Sequence, residues 1–216
     1  MPLPDDLRPD ALFFDLDGTL TDPKEGITRS VQYALEKMAA PVPHMDDLEW
    51  CIGPPLRQNF VTLVGEARAD EGVAFYRERF ADIGWVENQP YPGIATTLTT
   101  LRKKHIPLYV ATSKPHVFAE RILKHFELHH HFVHIYGSEL DGTNADKSEL
   151  LKFALNETGQ PASAVMIGDR SHDVVGALNN GLYSVGVTYG YGSKTELQGA
   201  GAHCIVHTPQ AVSEIF

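Results

Sequence analysis

The sequence predicts an α/β fold, with a parallel sheet covered by helices on both faces and an all-helical segment inserted near the start. Three observations lead to this prediction. Short apolar runs alternate with amphipathic helical patterns along most of the 216-residue chain, as in βαβ proteins. The apolar runs have almost no polar positions, which is typical of strands buried on both faces. One stretch in the first half of the chain carries helical patterns only.

Six apolar runs are the predicted strands of the sheet. They are ALFFD at 11–15, PLYVAT at 107–112, FVHIY at 132–136, AVMIG at 164–168, SVGVTY at 184–189 and HCIV at 203–206. Helical patterns lie between them, at 94–101, 118–125, 150–158 and 174–178. Strands and helices that alternate in this way favour a Rossmann-like open sheet.

The segment 23–92 interrupts the alternation. Ile27, Val31 and Leu35 fall on one face of a helical pattern, and 56–64 and 73–83 also look helical, while no strand is predicted. The turn-forming run QPYPG at 89–93 then marks the return to strand and helix. We therefore predict an α/β core made of 1–22 and 93–216, with 23–92 as a helical cap.

Composition and charge limit the classes of function. The net charge of −10 repels nucleic acid backbones, so we expect no nucleic acid partner. No run approaches the roughly 20 apolar residues of a membrane span, and the N-terminus does not resemble a signal peptide. The acidic pair Asp5-Asp6 is predicted to be solvated charge. Two isolated cysteines, Cys51 and Cys204, favour a reducing, cytoplasmic location.

Acidic residues follow two of the predicted strands. Asp15 and Asp17 come at the end of ALFFD, and side chains two apart in an extended chain point the same way. Gly18 lets the backbone turn sharply and approach a ligand closely. Asp169 and Asp173 follow AVMIG. Because ligands bind beyond the carboxyl ends of the strands in such sheets, these acids are predicted to share one site.

A shared site of this kind predicts a divalent cation. Two like charges 4 Å apart repel by about 4 kcal/mol at an effective dielectric constant near 20. Several such pairs would rival the whole stability of a domain, roughly 5–15 kcal/mol. Either some carboxyl groups are protonated or a cation lies among them, and oxygen ligands suit Mg²⁺.

Hydroxyl groups and lysines supply a predicted anion site. Thr112, Ser113 and Lys114 follow the strand PLYVA and precede a helix predicted to begin near Pro115, a natural place to bind phosphate. Lys147 opens a later helix and offers a positive charge to a phosphate oxygen. On the residues alone, the two hydroxyls also fit a plain helix cap and Lys147 a surface lysine. Lys114 is assigned to the surface or to a supporting position.

Together these motifs resemble the haloacid dehalogenase-like hydrolase superfamily. The resemblance rests on DLDGTLTD at 15–22, ATS at 111–113, a lone lysine at 147 and GDRSHD at 168–173, in the family's order and at plausible spacings. It covers essentially the whole chain. The second aspartate, Asp17, is absent from members that remove halide from carbon, so its presence favours phosphoryl chemistry.

The resemblance implies a role for each motif residue. Asp15 resembles the nucleophile that forms an aspartyl-phosphate, and Asp17 the general acid that later acts as a base. Thr112 and Lys147 resemble the pair that holds the phosphate, with Gly18 and Ser113 beside it. The implied Mg²⁺ ligands are Asp15, the backbone carbonyl of Asp17, Asp169 and, directly or through water, Asp173.

The insert resembles the small helical cap that many members place over the site. Its loop CIGPPLR at 51–57 looks like that of phosphoglycolate phosphatase-like and bacterial 5′-nucleotidase-like members. Arg57 is therefore a candidate contact for the distal end of the substrate.

The predicted function is hydrolysis of a small phosphorylated metabolite, of the phosphoglycolate or nucleoside monophosphate class, with a sugar phosphate also open. A sugar phosphomutase with the same nucleophile is an alternative, and so is a receiver-like signalling module. The motifs leave the oligomeric state open.

Overall fold

The computed structural model describes residues 2–4 and 7–216, so the predicted solvated pair Asp5-Asp6 lies outside the described residues. The strands are β1 (Ala11–Phe14), β2 (Thr21–Asp22), β3 (Gln89–Pro90), β4 (Leu108–Pro115), β5 (His134–Ser138), β6 (Ala164–Gly168), β7 (Tyr183–Val187) and β8 (Cys204–Val206). The α-helices are α1 (Lys24–Lys37), α2 (Leu56–Val64), α3 (Ala69–Arg79), α4 (Ile94–Lys103), α5 (His116–His125), α6 (Lys147–Glu157), α7 (Ser171–Asn179), α8 (Lys194–Ala200) and α9 (Pro209–Glu214).

Six strands form one sheet in the order β5-β4-β1-β6-β7-β8, and every neighbouring pair is parallel. This confirms the predicted parallel α/β sheet. Strands β4 and β5 lie on one side of β1, and the chain then crosses to β6 on the other side. Such a reversal leaves a crevice beyond the carboxyl ends of the strands on either side.

The core has two layers because successive side chains of a strand point to opposite faces. Leu12 and Phe14 of β1 belong to one buried cluster, with residues of α4, α5 and α9. Ala11 and Phe13 belong to a second cluster, with residues of α6 and α7. The run ALFF is therefore apolar throughout because helices cover both faces of the central strand.

Between β2 and β3 the chain is helical, as the sequence predicts. Ile27, Val31 and Leu35 of α1 are buried, and their cluster includes Phe60 of α2 and Tyr76 of α3. The π-helical segment Phe80–Gly84 extends α3, and the 3₁₀ segments Met45–Cys51 and Glu66–Arg68 join the helices.

The prediction that 23–92 contains no strand is wrong at Gln89–Pro90. This strand, β3, pairs antiparallel with β2, so the chain enters and leaves the insert side by side. Two residues are too few to show the alternation that marks a strand.

Two short helices near the C-terminus, α8 and α9, also escaped prediction. They have seven and six residues, too few for a clear helical period. Ser193 and Thr208 cap them, each accepting a hydrogen bond from a backbone N–H of the first turn. The serine with Glu196 three residues on is a sequence signal for such a cap. Within residues 2–4 and 7–216, no helix is both long enough and apolar enough to cross a lipid bilayer.

His131 is a buried titratable group away from the acidic residues. It lies in the 3₁₀ segment His129–His131 with 8% of its surface exposed. Its Nδ1 has no hydrogen-bond partner in the part of the chain that the structure describes. Burial lowers the pKa of His131 from 6.5 to about 4, since the charged imidazole loses its water.

Acid should therefore destabilise the protein partly through His131. The unfolded chain takes up this proton near pH 6.5 and the folded chain only near pH 4, so stability falls as the pH drops between these values. His131→Leu should reduce the loss of unfolding free energy between pH 7 and pH 5 by about 2 kcal/mol, measured by urea denaturation. His129→Leu, an exposed neighbour, is the matched control. Parallel pH profiles for wild type and His131→Leu would contradict the assignment.

Candidate active site

The carboxyl ends of β1 and β6 bring three of the predicted acids together. Asp15 follows β1, Asp169 follows β6, and Asp173 lies in the first turn of α7. One carboxylate oxygen of each lies within 4.8 Å of the other two, and all three residues are buried. Adjacent parallel strands place their ends at one edge of the sheet, so acids far apart in sequence become neighbours.

Two backbone N–H groups fix the orientation of the later acids. The N–H of Arg170 donates to Asp173 Oδ2 at 3.1 Å. The N–H of Tyr191 donates to Asp169 Oδ2 at 2.7 Å. In each carboxylate the remaining oxygen, Oδ1, is left for another partner.

Lys147 lies among these acids. Its Nζ is 3.0 Å from Asp15 Oδ1 and 2.8 Å from Asp173 Oδ1, and it donates to the backbone oxygen of Ala111 at 2.8 Å. Burial disfavours the charged amine, but the charges of Asp15 and Asp173 outweigh burial and raise the pKa of Lys147. The side chain is therefore an ammonium ion, not the surface lysine that the residues alone also allowed.

Asp17 points to a different cation. Its Oδ2 is 2.7 Å from Nζ of Lys114, and both side chains are buried. Burial raises the pKa of Asp17, although Lys114 acts in the opposite direction. The side chain of Asp17 is thus separate from the three gathered carboxylates, and the backbone carbonyl remains the group by which Asp17 could reach a metal.

Lys114 is a site residue that the sequence analysis assigned to the surface or to a supporting position. The surface assignment is wrong, because β4 continues through Lys114 to Pro115. Thr112 and Lys114 are the buried positions of an alternating pattern that leaves Ser113 half-buried. If the alternation of side chains along the strand had been extended two residues beyond Thr112, it would have predicted that Lys114 is buried.

The hydroxyls of Thr112 and Ser113 do not cap the helix that follows. Helix α5 has Pro115 at its N-cap position, with no side-chain hydrogen bond there. Thr112 Oγ1 accepts from the N–H of Lys114 at 3.3 Å, and both residues line the cleft above Asp15. The interpretation as a plain helix cap is therefore wrong.

The turn after β1 packs tightly against Asp169. Gly18 has φ +83°, and a Cβ atom built there would lie 2.2 Å from Asp169 Oδ2. The N–H of Gly18 donates to Thr21 O at 2.8 Å. Only glycine permits this left-handed turn and this close approach.

A loop that the sequence analysis missed completes this packing. It is the run YGYG at 189–192, after β7, and it supplies the N–H of Tyr191 to Asp169. A Cβ atom at Gly190 would lie 2.1 Å from Gly18 O and 2.5 Å from Asp169 Oδ2. Repeated glycines directly after a strand end were the available signal.

The carboxylates fit a divalent cation. In the described part of the chain, Asp169 Oδ1 is buried and has no hydrogen-bond partner, while Asp15 Oδ1 and Asp173 Oδ1 share the single ammonium of Lys147. Burial and the neighbouring acids raise the pKa of Asp169 well above its usual value, and burial, with the charge of Asp15, raises that of Asp173 to about 6 against the effect of Lys147. One ammonium cannot balance three carboxylates, whereas an oxygen-ligated ion such as Mg²⁺ would balance their charge and give the Asp169 oxygen a partner.

A cleft lies between the strand ends, at Asp15 and Asp17, and the insert. Asp15, Asp17, Thr112, Ser113 and Lys114 line the core side. The remaining walls are mostly apolar and include Ile27, Cys51, Leu56, Tyr76, Phe80 and Phe118. The insert therefore covers the site that the strand ends form.

Arg57, the predicted contact for the distal end of the substrate, lies outside this cleft. It lines a neighbouring cleft. Its Nε donates to Asp70 Oδ1 and an Nη to Glu66 Oε1, both at 2.8 Å. Arg77, which the sequence analysis did not select, lines the cleft above Asp15 instead.

The close packing of the 189–192 loop on Asp169 can be tested by adding one methyl group. Gly190→Ala places this group against Asp169 and Gly18 O, so it should lower the unfolding free energy by about 1–3 kcal/mol. Gly199→Ala is the matched control, because no atom lies within 4 Å of its added carbon. It should change stability by less than about 1 kcal/mol. Equal effects of the two variants in urea denaturation would refute this packing.

Comparison with known proteins agrees with this geometry. The sequence profile of the family described as haloacid dehalogenase-like hydrolase matches residues 12–187. A 5′-nucleotidase of Pseudomonas aeruginosa is 52% identical over 195 residues, which are 89% of this chain and 88% of that protein. The tyrosine-protein kinase PtkA of Mycobacterium tuberculosis is 41% identical over 186 residues, 85% of this chain but 64% of its own length.

A solved structure shows the same architecture. The crystal structure of a predicted phosphatase from Clostridium acetobutylicum matches with a TM-score of 0.92 and 42% identity, over 96% of this chain and 97% of that one. The family profile spans more than half of the chain and contains the motifs at 15–22, 111–113, 147 and 168–173. The chain therefore belongs to the haloacid dehalogenase-like hydrolase family.

Proposed function

We propose that the protein hydrolyses a small phosphate monoester by transferring the phosphoryl group first to Asp15 and then to water. The observation that carries this proposal is the group of three buried carboxylates around the ammonium of Lys147, which pairs with two of them and leaves Asp169 Oδ1 without a partner among the described residues. Positive charge held in a buried site stabilises a phosphoryl group in transfer more strongly than it would in water.

Asp15, Asp169, Asp173 and the backbone carbonyl of Asp17 would hold Mg²⁺. When bound, the ion supplies positive charge that offsets the repulsion between a carboxylate nucleophile and a phosphate dianion. Tyr191 and Arg170 act on this group indirectly, since their N–H groups fix the carboxylates of Asp169 and Asp173.

Lys147 serves both the nucleophile and the phosphate. Its ion pair with Asp15 Oδ1 holds the carboxylate in place, and the bond to Ala111 O anchors the ammonium. Asp15 attacks phosphorus, the bond from phosphorus to the ester oxygen breaks, and an aspartyl-phosphate forms. Thr112 and Ser113, which line the cleft with Asp15, and Gly18 are the other proposed phosphate-binding residues.

Asp17 moves the proton in both steps. Burial raises its pKa, which favours the protonated form that the leaving oxygen requires. After giving its proton to that oxygen, Asp17 accepts one from the water that attacks the aspartyl-phosphate. Lys114, 2.7 Å away, stabilises the carboxylate form between the two transfers.

The insert supplies the enclosure. We propose the domain boundaries expected from the sequence, with 1–22 and 93–216 as catalytic core and 23–92 as cap. The cleft between them is lined by α1, α2 and α3 on one side and by the strand ends on the other. Enclosure keeps water from the phosphoryl group until the alcohol has left.

The cleft walls favour a nucleoside monophosphate over phosphoglycolate. Tyr76 stacks on Phe80 with ring centroids 5.3 Å apart, and Phe80 packs edge-on against Phe118. Such walls suit a flat, partly apolar group, which a nucleoside has and phosphoglycolate lacks. The name of the Pseudomonas aeruginosa relative supports the same class. We expect a small metabolite of the cytoplasm, with no nucleic acid or membrane partner.

Product analysis separates hydrolysis from its alternatives. A phosphomutase would return the phosphoryl group to a sugar, and an activity like that named for PtkA would pass it to tyrosine. A receiver-like module would accept phosphate slowly and release no alcohol repeatedly. The covered cleft argues against the receiver, whose acidic pocket must remain accessible to a partner protein.

Removal of the nucleophile should stop turnover. Asp15→Asn should lower phosphate release from p-nitrophenyl phosphate by about 10³-fold or more, because an amide cannot form the acyl-phosphate. Asp82→Asn, an exposed acid in the insert, is the matched control and should retain full activity. Near-normal turnover of a correctly folded Asp15→Asn variant would exclude Asp15 as nucleophile.

Metal removal should have two consequences. EDTA should abolish turnover and added Mg²⁺ should restore it. Independently of activity, saturating Mg²⁺ should raise the melting temperature of the wild type, since it relieves repulsion among buried carboxylates. In Asp169→Asn this shift should be much smaller. Turnover that survives EDTA, or equal thermal shifts in both proteins, would defeat the metal proposal.

A further inference from the structure

Arg77 lines both the covered cleft above Asp15 and the neighbouring cleft that contains Arg57. It belongs to α3 of the insert, directly after the buried Tyr76. Among the described residues that line the covered cleft, the positive charges are Lys114 and Arg77. Lys114 is paired with Asp17, so Arg77 is the cation available to the part of the substrate beyond the phosphate.

The guanidinium of Arg77 is only partly satisfied. One Nη donates to the backbone oxygen of Leu140, in the loop after β5. The Nε atom is buried and has no hydrogen-bond partner within residues 2–4 and 7–216. Arg57 on α2 differs, because two carboxylates occupy its donors. A buried donor without an acceptor is costly, and a ligand that supplies the acceptor removes that cost.

The surroundings of Arg77 indicate what that ligand offers. The rings of Tyr76, Phe80 and Phe118 form apolar walls of the same cleft, suited to a planar group, while Arg77 can only donate hydrogen bonds. A nucleoside combines both features, since it has a flat base and several oxygen or nitrogen acceptors. A simple aryl group has the flat face alone.

We propose that Arg77 is a specificity-determining residue that donates a hydrogen bond to an acceptor on the nucleoside part of a nucleoside monophosphate. This inference rests on the proposed phosphatase function and assigns the recognition of its leaving group. Arg77 takes the place that the sequence analysis gave to Arg57. A site built around such a donor rejects alcohols that lack the acceptor.

The test compares two substrates that differ in the acceptor. Arg77→Met should lower kcat/KM for uridine 5′-monophosphate by about 10-fold or more, while kcat/KM for phenyl phosphate should change by less than about 3-fold. Arg77→Lys should not restore the loss, because a lysine lacks the planar fork of donors. Arg57→Met, the matched control, should leave both values near those of the wild type.

A measurement without catalysis gives a second readout. Uridine, as a competitive inhibitor of phenyl phosphate hydrolysis, should bind Arg77→Met about 10-fold more weakly, with inhibition by inorganic phosphate unchanged. Equal losses for both substrates would show that Arg77 only holds the insert against the Leu140 loop, and would overturn the proposal. So would an unchanged inhibition constant for uridine.

The wild type separates failure of this inference from failure of the proposed function. If it hydrolyses phenyl phosphate in a manner that requires Asp15 but does not hydrolyse uridine 5′-monophosphate or bind uridine, phosphatase activity stands and the role of Arg77 is refuted. If it hydrolyses neither substrate with Mg²⁺ present, the proposed function fails and the inference fails with it.

Discussion

The ammonium group of Lys147 is the interaction on which the site depends. It lies within 3.0 Å of both Asp15 and Asp173 and is anchored to the backbone of β4. Without it, buried carboxylates from two strand ends would repel one another with nothing between them. Lys147 pairs with two of the three gathered acids and leaves Asp169 Oδ1 without a hydrogen-bond partner among the described residues, so negative charge remains that a divalent cation could balance.

The sheet brings this lysine to the acids. Central strand β1 lies between β4 and β6, so its carboxyl end is flanked by the backbone that anchors Lys147 and by the strand that carries Asp169. Helices cover both faces of β1 and fix its position. The orientation of Asp15 thus depends on the packing of α4 and α5 on one face and of α6 and α7 on the other.

Sequence analysis predicted the sheet and the acids because both leave local signals. Asp15 and Asp169 directly follow continuous apolar runs, and strand ends of a parallel sheet meet at one edge. The alternative that placed Lys114 on the surface was wrong because its strand continues past the apolar run into polar residues. Strands β2 and β3 were missed because two residues show no period.

The choice between Arg57 and Arg77 was beyond sequence analysis for a different reason. Both are arginines on helices of the insert, and the local sequence pattern does not distinguish one position from the other. Arg57 is occupied by Glu66 and Asp70, nine and thirteen residues further along the chain. Arg77 contacts the loop at Leu140, sixty-three residues away. Which arginine is free to meet a ligand depends on these tertiary contacts, which no local pattern encodes.

The paired strands β2 and β3 have a consequence for how such a protein can diversify. Thr21 lies opposite Pro90 and Asp22 opposite Gln89, so the core chain departs and returns at nearly the same point. The packing of the sheet does not depend on the length of the segment inserted between these residues, since closing a longer loop costs little extra entropy. Selection can thus exchange the inserted helical segment while the sheet and its gathered acids are inherited intact.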